Sequence, residues 1–388
     1  MVNRLPEALD TFQVPEYLSP STFFQIRLCA LSVFHGLSDD DKLPPYPTAI
    51  LGDLVHSALQ RANQATDSDP ISIFNDLLKA EQKTLSSSRL TRNLVPLKKT
   101  IDRNTWRKRL SKLRHWTRPA GANPVRSNEG NGWEQPVSEQ VNLIQYGYER
   151  PIKVPELRLS GRLDHIRKGQ SNRIYITDYK TGRANDRNSQ VYDSISLQLQ
   201  LYALMVQYIQ PDASIHLFIK GNEDIELGWD STIARNTKKK LLKTLARFPS
   251  KKTLDAKSNA TVGRHCSLCR IRHRCSKYLD TAPSLWHNQS SERPVAPNDI
   301  WGKIIGMNNT QGTTELTICD ASGRSVNISG IEKWLTAGSI KTGENIWFFD
   351  LEPSGNIRQH GFYTHPCNFH GENYNFRDRK AVRLSVFC

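Results

Sequence analysis

Two runs of alternating apolar and polar residues, joined by a turn, form the clearest pattern in the chain. The first run covers residues 157–166 and the second covers residues 174–179. Between them lies Gly-Gln-Ser-Asn (169–172), a composition typical of a turn. The alternation predicts two strands paired as a hairpin, with Asp164 near the end of the first strand and Asp178 in the second.

Apolar residues that recur with helical period predict helices on both sides of this hairpin. Ser19 is suited to cap the first helix, and Pro20 suits its first position. The predicted helices cover residues 23–34, 48–63, 70–83, 103–116, 195–209 and 232–247. Further strands are expected over residues 141–144 and 215–219. Irregular structure is expected for residues 1–20, 36–47, 118–135 and 249–259.

From about residue 296 the pattern changes to short β-rich runs separated by turns. The predicted strands cover residues 300–306, 315–319, 325–328, 346–351 and 358–363, with a short helix over residues 331–335. Five strands and one short helix favour a small closed barrel, and an OB-like fold fits them best. We therefore predict an α/β domain over residues 1–285, an all-β OB-like domain over residues 296–370, and a tail over residues 371–388.

The composition indicates a nucleic-acid partner. The chain has 388 residues, a net charge of +15 and a pI near 9.5. Such an excess favours a polyanionic partner, most often nucleic acid, although membrane-surface proteins share it. No apolar run is long enough to span a bilayer, and the N-terminal residues lack a signal-peptide pattern. A cytoplasmic protein is the expectation.

The predicted hairpin carries the candidate chemistry. Side chains two apart in a strand point to the same face, so Asp178 and Lys180 emerge together, and Asp164 can lie beside them. Two carboxylates repel each other unless a cation sits between them, and oxygen ligands suit Mg²⁺ or Mn²⁺. A lysine at the same place can orient a water or neutralise charge on a phosphate. Together these groups suit metal-assisted phosphodiester hydrolysis.

The cysteines favour a metal centre over disulfides. Their number is odd, and three of them lie close together in the sequence; the full set is Cys29, Cys266, Cys269, Cys275, Cys319, Cys367 and Cys388. A Cys-x-x-Cys pair brings two thiolates within reach of one metal centre. Zinc is the generic interpretation, with His265, His273 or Cys29 as the fourth ligand. An iron–sulfur cluster requires four thiolates as a rule, and Cys29 could supply the fourth.

The hairpin sequence also resembles a known family. Gly-Arg-Leu-Asp (161–164), a turn, and then Thr-Asp-Tyr-Lys-Thr-Gly (177–182) closely resemble the core of PD-(D/E)xK nucleases, and in particular the RecB-like exonuclease branch. The resemblance covers roughly residues 18–278. It implies a restriction-endonuclease-like α/β core that contains a basic helical insertion around residues 66–135.

The resemblance assigns roles to further residues. His56, in Gly-x-x-x-His-x-x-Leu, corresponds to a ligand of the catalytic metal, although a lone histidine among apolar residues is more often packed in a core. The Tyr179 carbonyl could complete the metal site formed with Asp164 and Asp178. Gln198 and Tyr202 match a Gln-x-x-x-Tyr motif that contacts the DNA backbone and braces the site. Glu139 is a secondary candidate near the metal, or a surface glutamate.

The cysteines extend the resemblance. In iron–sulfur RecB-like nucleases, including the AddB helicase-nuclease subunit and CRISPR-associated exonucleases, a cysteine on the first helix joins a later cysteine trio. This pattern implies that Cys29, Cys266, Cys269 and Cys275 hold a [4Fe–4S] cluster that closes the domain, with zinc as the alternative. The cluster would be structural and would not act in redox catalysis.

These observations lead to a metal-dependent DNA nuclease as the first hypothesis. We expect an exonuclease acting on single strands or duplex ends, in DNA repair and recombination or in antiviral defence. The sequence contains no Walker-type phosphate loop, so a helicase partner would be a separate protein. The alternatives are a catalytically silent DNA-binding scaffold and an RNA-directed nuclease. The basic helix over residues 103–116 could line a nucleic-acid channel, or could pack Trp106, Leu110 and Leu113 into a core.

Overall fold

The helices and strands divide the chain into a mixed α/β region and a C-terminal region rich in sheet. The computed structural model describes residues 7–64, 69–87, 91, 94–117, 144–186, 188–286, 299–309, 313–332, 341–349, 351–353, 361–363 and 385–387. The helices are α1 (Pro20–Leu28), α2 (Leu31–Phe34), α3 (Pro47–Gln64), α4 (Pro70–Ser87), α5 (Arg103–Trp116), α6 (Asp193–Ile209), α7 (Ser231–Arg247), α8 (Ala256–Asn259) and α9 (Ser276–Leu285).

The strands fall into three sheets in the described part of the chain. Those before residue 260 are β1 (Thr11–Gln13), β2 (Gly147–Val154), β3 (Leu159–Lys168), β4 (Arg173–Tyr179), β5 (Ser214–Lys220), β6 (Asp224–Leu227) and β7 (Thr253–Asp255). The later strands are β8 (Ile300–Asn309), β9 (Thr313–Asp320), β10 (Ser325–Glu332), β11 (Asn345–Phe349), β12 (Glu352–Pro353), β13 (Gly361–Tyr363) and β14 (Ser385–Phe387).

The central sheet has the strand order β2-β3-β4-β5-β6. The predicted hairpin is present as β3 and β4, whose register pairs His165 with Thr177. Strand β5 runs parallel to β4, and α6 forms the crossover between them. Ile176 and Leu217 alternate with more polar neighbours and are buried on one face of the sheet, in the same core as the apolar residues of α6. The α/β prediction is confirmed for this region.

Helices α3, α4 and α5 form a second apolar core beside the sheet. Its centre includes Phe74 of α4 and Trp106 of α5, whose rings meet edge to face at 5.9 Å. Tyr179, at the end of β4, joins this helical core. Helix α5 starts where Asp102 accepts a hydrogen bond from the Thr105 backbone N–H, an N-cap arrangement. The end of β4 is therefore held between the sheet and the inserted helices.

The N-terminal region differs from the sequence predictions. The helix predicted over residues 23–34 is broken into α1 and α2 because Cys29 has an extended backbone, with φ −156°. Residues 1–20 and 249–259 were expected to be irregular, but β1 pairs with β7 across this separation. Pairing between segments so far apart leaves no local pattern, which explains why the sequence did not reveal it.

The C-terminal strands pair in an order that departs from simple hairpins. Strand β8 pairs with both β9 and β11, and β9 also pairs with β10. Strand β13 runs parallel to β10 and antiparallel to β12. Ile331 and Glu332 belong to β10, where a short helix was predicted, and β14 lies in the tail for which no order was predicted. The rest of the predicted helix, residues 333–335, lies outside the described residues.

A buried ion pair joins the two regions. Arg272, in the cysteine-rich segment, donates two hydrogen bonds to Asp299, at 2.6 and 3.0 Å. Tyr278 of α9 donates to the same carboxylate at 2.6 Å. Arg272 is 1% exposed and Asp299 is 0% exposed, so water does not compete for these bonds. In the described part of the chain, no helix has the length and apolar content needed to cross a membrane.

Candidate active site

The end of β4 carries a buried carboxylate and the candidate catalytic lysine. Lys180 Nζ donates to Asp178 Oδ1 at 3.0 Å and lies 2.9 Å from Oδ2. Gln198 of α6 donates from its amide nitrogen to Asp178 Oδ1 at 3.2 Å, and its amide oxygen accepts from Lys180 at 3.4 Å. The structure therefore brings these three predicted residues together, and α6 fixes the lysine against the sheet.

A second group of side chains forms a candidate metal site next to this pair. His56, Glu149 and Asp164 offer ligand atoms that all lie within 4.8 Å of one another, the one such group of histidine, cysteine or acidic residues found among the described residues. His56 Nδ1 lies 3.9 Å from Asp164 Oδ2. The Tyr179 backbone N–H donates to the same oxygen at 2.8 Å, which fixes the orientation of the Asp164 carboxylate. Tyr179 thus contributes its amide to the site.

Glu149 is the residue that the sequence reasoning missed. It lies in β2 between Tyr148, which pairs with His165, and Arg150, which pairs with Leu163, so it stands opposite Asp164. Its φ is +50°, a value rare for a residue with a side chain and most common near functional sites. The sequence prediction chose Glu139 instead, which lies outside the described residues.

The charged groups of this site have perturbed pKa values. Burial, and then the neighbouring Asp164, raises the pKa of Asp178 to about 6. The same two causes raise the pKa of Glu149 to about 7, and burial raises the pKa of Asp164. Burial lowers the pKa of His56, which favours the neutral imidazole that can bind a metal. The negative charge of such clustered acids is what a bound divalent cation would neutralise.

Tyr202 braces the strand that carries Asp164. Its hydroxyl donates to the Arg162 carbonyl at 2.7 Å and accepts from the Arg162 N–H at 3.2 Å. A Cβ at Gly161 would stand 2.8 Å from this hydroxyl, so the close approach of α6 to β3 requires a glycine there. Tyr202 is only 4% exposed and burial raises its pKa. The role seen in this geometry is to hold the backbone of β3.

Comparison with known proteins identifies the family. The model of the PD-(D/E)XK nuclease superfamily matches residues 17–276, which include the metal site, the Asp178–Lys180 pair and the cysteine trio. The chain belongs to the PD-(D/E)XK nuclease superfamily. No curated protein matches the sequence.

The donor set fits the divalent metals that PD-(D/E)XK nucleases use. One imidazole and two carboxylates, from His56, Glu149 and Asp164, converge on one point. Asp178 adds a third carboxylate beside this set, and its buried Oδ2 lies 2.9 Å from the Lys180 ammonium. Three clustered acids beside one lysine leave negative charge that a divalent cation would neutralise.

Helix α5 contacts the backbone at the candidate active site. Lys112 donates to the carbonyls of Lys180 and Thr181 at 3.0 and 3.1 Å, and so holds the backbone of the candidate catalytic lysine. Burial lowers the pKa of Lys112 to about 8. Trp116 packs on Tyr179 with ring centres 5.1 Å apart. Trp106 and Leu113 are buried and Leu110 packs partly buried against the same core, as the packed-helix interpretation expected, while Lys112 reaches the backbone just after β4.

The four predicted cluster cysteines lie near one another, where the C-terminal end of α1 meets residues 266–275, but no three of their sulfur atoms lie within 4.8 Å of one another. All four are free thiols; Cys29, Cys266 and Cys275 are buried and Cys269 is half-buried. Burial raises the pKa of Cys269 to about 12 and that of Cys275 to about 11, and both thiols lie near Cys29 and Cys266. Burial is the largest influence on the pKa of Cys29 and raises it, but hydrogen bonds from His265 and from the Thr261 and Ser32 backbone together outweigh burial and lower the pKa to about 7.

Proposed function

We propose that this protein is a metal-dependent deoxyribonuclease that hydrolyses phosphodiester bonds. The observation that carries the proposal is the convergence of His56, Glu149 and Asp164 directly beside the Asp178–Lys180 pair. A scaffold protein has no use for such a group, because clustered buried acids lower the free energy of unfolding. Superfamily membership supports the same conclusion.

The proposed mechanism divides the work between these residues. His56, Glu149 and Asp164 would hold Mg²⁺ or Mn²⁺, with Asp178 and the Tyr179 carbonyl as further candidate ligands. The cation supplies Lewis acidity at a phosphate oxygen. Lys180, held by Gln198 and Asp178, orients the attacking water and offsets the charge that develops on the phosphate. The water would give up a proton as its oxygen forms a new bond to phosphorus and the ester P–O bond breaks, and the leaving oxygen would take up a proton from solvent, which leaves one phosphate end and one hydroxyl end.

We further propose DNA as the substrate, cut from single strands or duplex ends by an exonuclease that acts in DNA repair, recombination or antiviral defence. The net charge of +15 supports a polyanionic substrate. The RecB-like character of the hairpin sequence supports the exonuclease assignment and the pairing with a separate helicase. The cytoplasm is the proposed compartment.

A [4Fe–4S] cluster is proposed for the cysteine site. What supports it is that Cys269 and Cys275 lie near enough to Cys29 and Cys266 for their charges to interact, and that four thiolates are the usual ligand set of such a cluster. Cys29, Cys266, Cys269 and Cys275 would hold the cluster, which would join α1 to the end of the nuclease region. Anaerobic purification followed by iron, sulfide and zinc analysis tests this proposal. Four irons per chain are expected, whereas one zinc per chain with no sulfide would show that these cysteines form a zinc site.

An OB-like barrel is proposed for the C-terminal region. What supports it is the circuit of strand pairs: β8 pairs with β9, β9 with β10, β10 with β13, and β13 with β12, while β11, just before β12 in the chain, pairs back to β8. Such a circuit is how five strands close into a barrel, with β11 and β12 as one interrupted strand. A structure of the isolated region would test the closure.

Cleavage of end-labelled DNA tests the proposed function. The anaerobically purified protein is incubated with single-stranded and duplex DNA in Mg²⁺, Mn²⁺ or EDTA, and the Lys180→Ala variant serves as control. Metal-dependent cutting that the variant lacks supports the nuclease, and the product ladder distinguishes exonuclease from endonuclease action. If the wild type and Lys180→Ala cut equally, the mechanism is wrong. If an intact, metal-loaded protein binds DNA without cutting it, the scaffold hypothesis takes its place.

A further inference from the structure

A cavity of about 550 Å³ opens beside the candidate metal site, and the proposed catalytic mechanism does not use it. Its walls come from the first half of α3, from α5, from Thr181, and from the cysteine loop, by which we mean residues 266–275. The lining residues are Tyr46, Thr48, Ala49, Gly52, Asp53, His56, Arg109, Thr181 and Leu268. Ligand pockets are commonly on the order of 300–1,000 Å³, so this one can hold a group larger than a single phosphate.

The cavity walls combine a cationic side chain with an apolar one, and a nucleotide carries groups that complement both. Arg109 presents a guanidinium, and one of its nitrogens donates to the Thr48 carbonyl. In the described part of the chain that is its only hydrogen bond, so its other N–H groups remain available to a ligand. Leu268 also lines the cavity, is 67% exposed and offers an apolar surface. A nucleotide likewise combines an anionic phosphate with an apolar base face.

An acidic residue in the wall does not argue against this match. Burial raises the pKa of Asp53, and the nearby His56 and Arg109 oppose that rise. The Asp53 carboxylate thus shares the cavity with the guanidinium. A carboxylate accepts hydrogen bonds from the amino group of a base, while it repels a phosphate. The two charges therefore favour a ligand with its phosphate at Arg109 and its base amino group toward Asp53.

The position of the cavity ties it to the reaction. His56 belongs both to the cavity wall and to the metal site. Thr181 follows the catalytic Lys180 directly in the chain, and its hydroxyl would lie 3.2 Å from a Cβ at Gly52, so α3 approaches the end of β4 closely here. A group bound in this cavity is a direct neighbour of any phosphate held at the metal.

We propose that this cavity binds the nucleotide adjoining the scissile phosphate, with the phosphate of that nucleotide on Arg109 and its base against Leu268. This proposal rests on the proposed nuclease function and names the place where the site holds its substrate strand. It also gives the cysteine loop a role in binding, because Leu268 lies between Cys266 and Cys269. A guanidinium bound to a phosphate is a charge-assisted contact, so its loss should weaken binding about tenfold or more.

Calorimetry of 2′-deoxycytidine 5′-monophosphate binding to the full-length protein in Ca²⁺ tests the proposal without requiring cleavage, because this nucleotide carries both a phosphate and a base amino group. Arg109→Ala should weaken binding about tenfold, and Arg109→Lys should weaken it less. Arg61→Ala, an exposed arginine at the far end of α3, is the control and should bind like the wild type. Equal affinity in Arg109→Ala and Arg61→Ala would overturn the proposal.

A second pair of variants covers the case in which Arg109→Ala fails to fold, since Arg109 also contacts the start of α3. Leu268→Ala removes an exposed side chain and should weaken binding of the same nucleotide several-fold, through loss of contact with the base. Leu242→Ala, which is 53% exposed on α7, is the matched control. Identical affinities for this pair would overturn the base contact.

The two proposals fail in different ways. If the wild type binds the nucleotide through Arg109 but cuts no DNA, nucleotide binding by the cavity stands, while the nuclease function and the link to a scissile phosphate fall. If the protein cuts DNA while the Arg109 and Leu268 variants match their controls in binding and in KM, the nuclease stands and the cavity assignment falls.

Discussion

Buried charges occur in two regions of this molecule, and they are neutralised to different degrees. At the junction with the C-terminal region, Arg272 donates to both oxygens of Asp299, and Tyr278 donates to the same carboxylate. The guanidinium also donates to the Cys269 carbonyl at 3.0 Å. Charge and hydrogen-bonding capacity are matched here, as a purely structural ion pair requires.

The candidate active site is different, because its acids outnumber the cations that pair with them. Glu149, Asp164 and Asp178 crowd together, and Lys180 pairs with Asp178, with its ammonium 2.9 Å from the buried Oδ2. The raised pKa values of all three acids report the same imbalance. A matched buried pair stabilises one structure, whereas an unmatched acidic group indicates a place for a ligand. The Arg272–Asp299 pair is therefore assigned a structural role, whereas the clustered acids at the end of β4 indicate a ligand-binding function.

The largest expected effect is that of Lys180→Ala on catalysis. The cleavage rate should fall by about 10²–10³-fold, because the variant lacks the cation that stabilises charge on the phosphate. The measurement is the initial rate of DNA cleavage at saturating Mn²⁺. Lys220→Ala is a matched control on the neighbouring strand, where Lys220 pairs with an exposed Asp224, and it should cut like the wild type. Comparable losses in both variants would show that Lys180 has no special role.

The next largest effect is on the free energy of unfolding, and it arises where the mixed α/β region meets the C-terminal region. Arg272→Met leaves Asp299 buried without its cation and should lower the free energy of unfolding by about 3–5 kcal/mol. The measurement is urea unfolding followed by circular dichroism. The double variant Arg272→Met/Asp299→Leu should recover most of the loss, since no unpaired charge remains. Lys257→Met, which breaks an exposed pair with Asp280, should change stability by less than about 1 kcal/mol. A small effect of Arg272→Met would contradict the structural role.

Lys112→Met should have a smaller, catalytic effect. Lys112 holds the carbonyls of Lys180 and Thr181, so its loss lets the catalytic lysine move and should lower kcat roughly tenfold with little change in KM. Lys112→Arg should restore part of the rate. Lys108→Met, at an exposed position one turn earlier on α5, is the control. A rise in KM at unchanged kcat would instead place Lys112 in substrate binding.

The smallest effect is a pH dependence of metal-linked stability. The pKa of Asp178 is raised to about 6 and that of Glu149 to about 7. An acid with a raised folded-state pKa binds its proton more tightly when folded, so without metal the free energy of unfolding falls as pH rises from the unfolded pKa toward 7. A cation requires the deprotonated acids. Mn²⁺ should therefore raise Tm more at about pH 8 than at about pH 5.5, as measured by thermal scans. An equal rise in Tm with Mn²⁺ at the two pH values would contradict a link between metal binding and deprotonation of these acids.

Local patterns predicted much of the nuclease core. The β3–β4 hairpin and helix α6 follow alternation and helical period, and the motif residues Asp178, Lys180 and Gln198 do meet. Glu149 was missed because β2 contains Arg150 and Pro151, which interrupt the alternation. A signal was nevertheless present: Glu149 and Asp164 are equally distant along the chain from the turn at residues 155–158, so they must face each other if the strands pair.

Other features depend on contacts between distant segments. The β1–β7 pair and the β14 strand arise from partners far away in the sequence, and neither segment carries a strong pattern of its own. The role of α5 was left open between a nucleic-acid channel and a packed helix because periodicity shows which residues are apolar, and does not show what the cationic ones touch. In the structure, Lys112 of α5 donates to the carbonyls of Lys180 and Thr181, a contact that no local sequence rule could indicate.

The most direct test compares one acid from each region, by measuring the free energy of unfolding of Asp164→Asn and Asp299→Asn with and without Mn²⁺. In the absence of metal, Asp164→Asn should be at least as stable as the wild type, because it relieves repulsion among the acids, and it should lose the stabilisation that Mn²⁺ gives the wild type. Asp299→Asn should be destabilised by about 3 kcal/mol and should keep its response to Mn²⁺. If metal-free Asp164→Asn is as unstable as Asp299→Asn, or if it still responds to Mn²⁺ like the wild type, the acids at the end of β4 are structural and the proposed metal site is wrong.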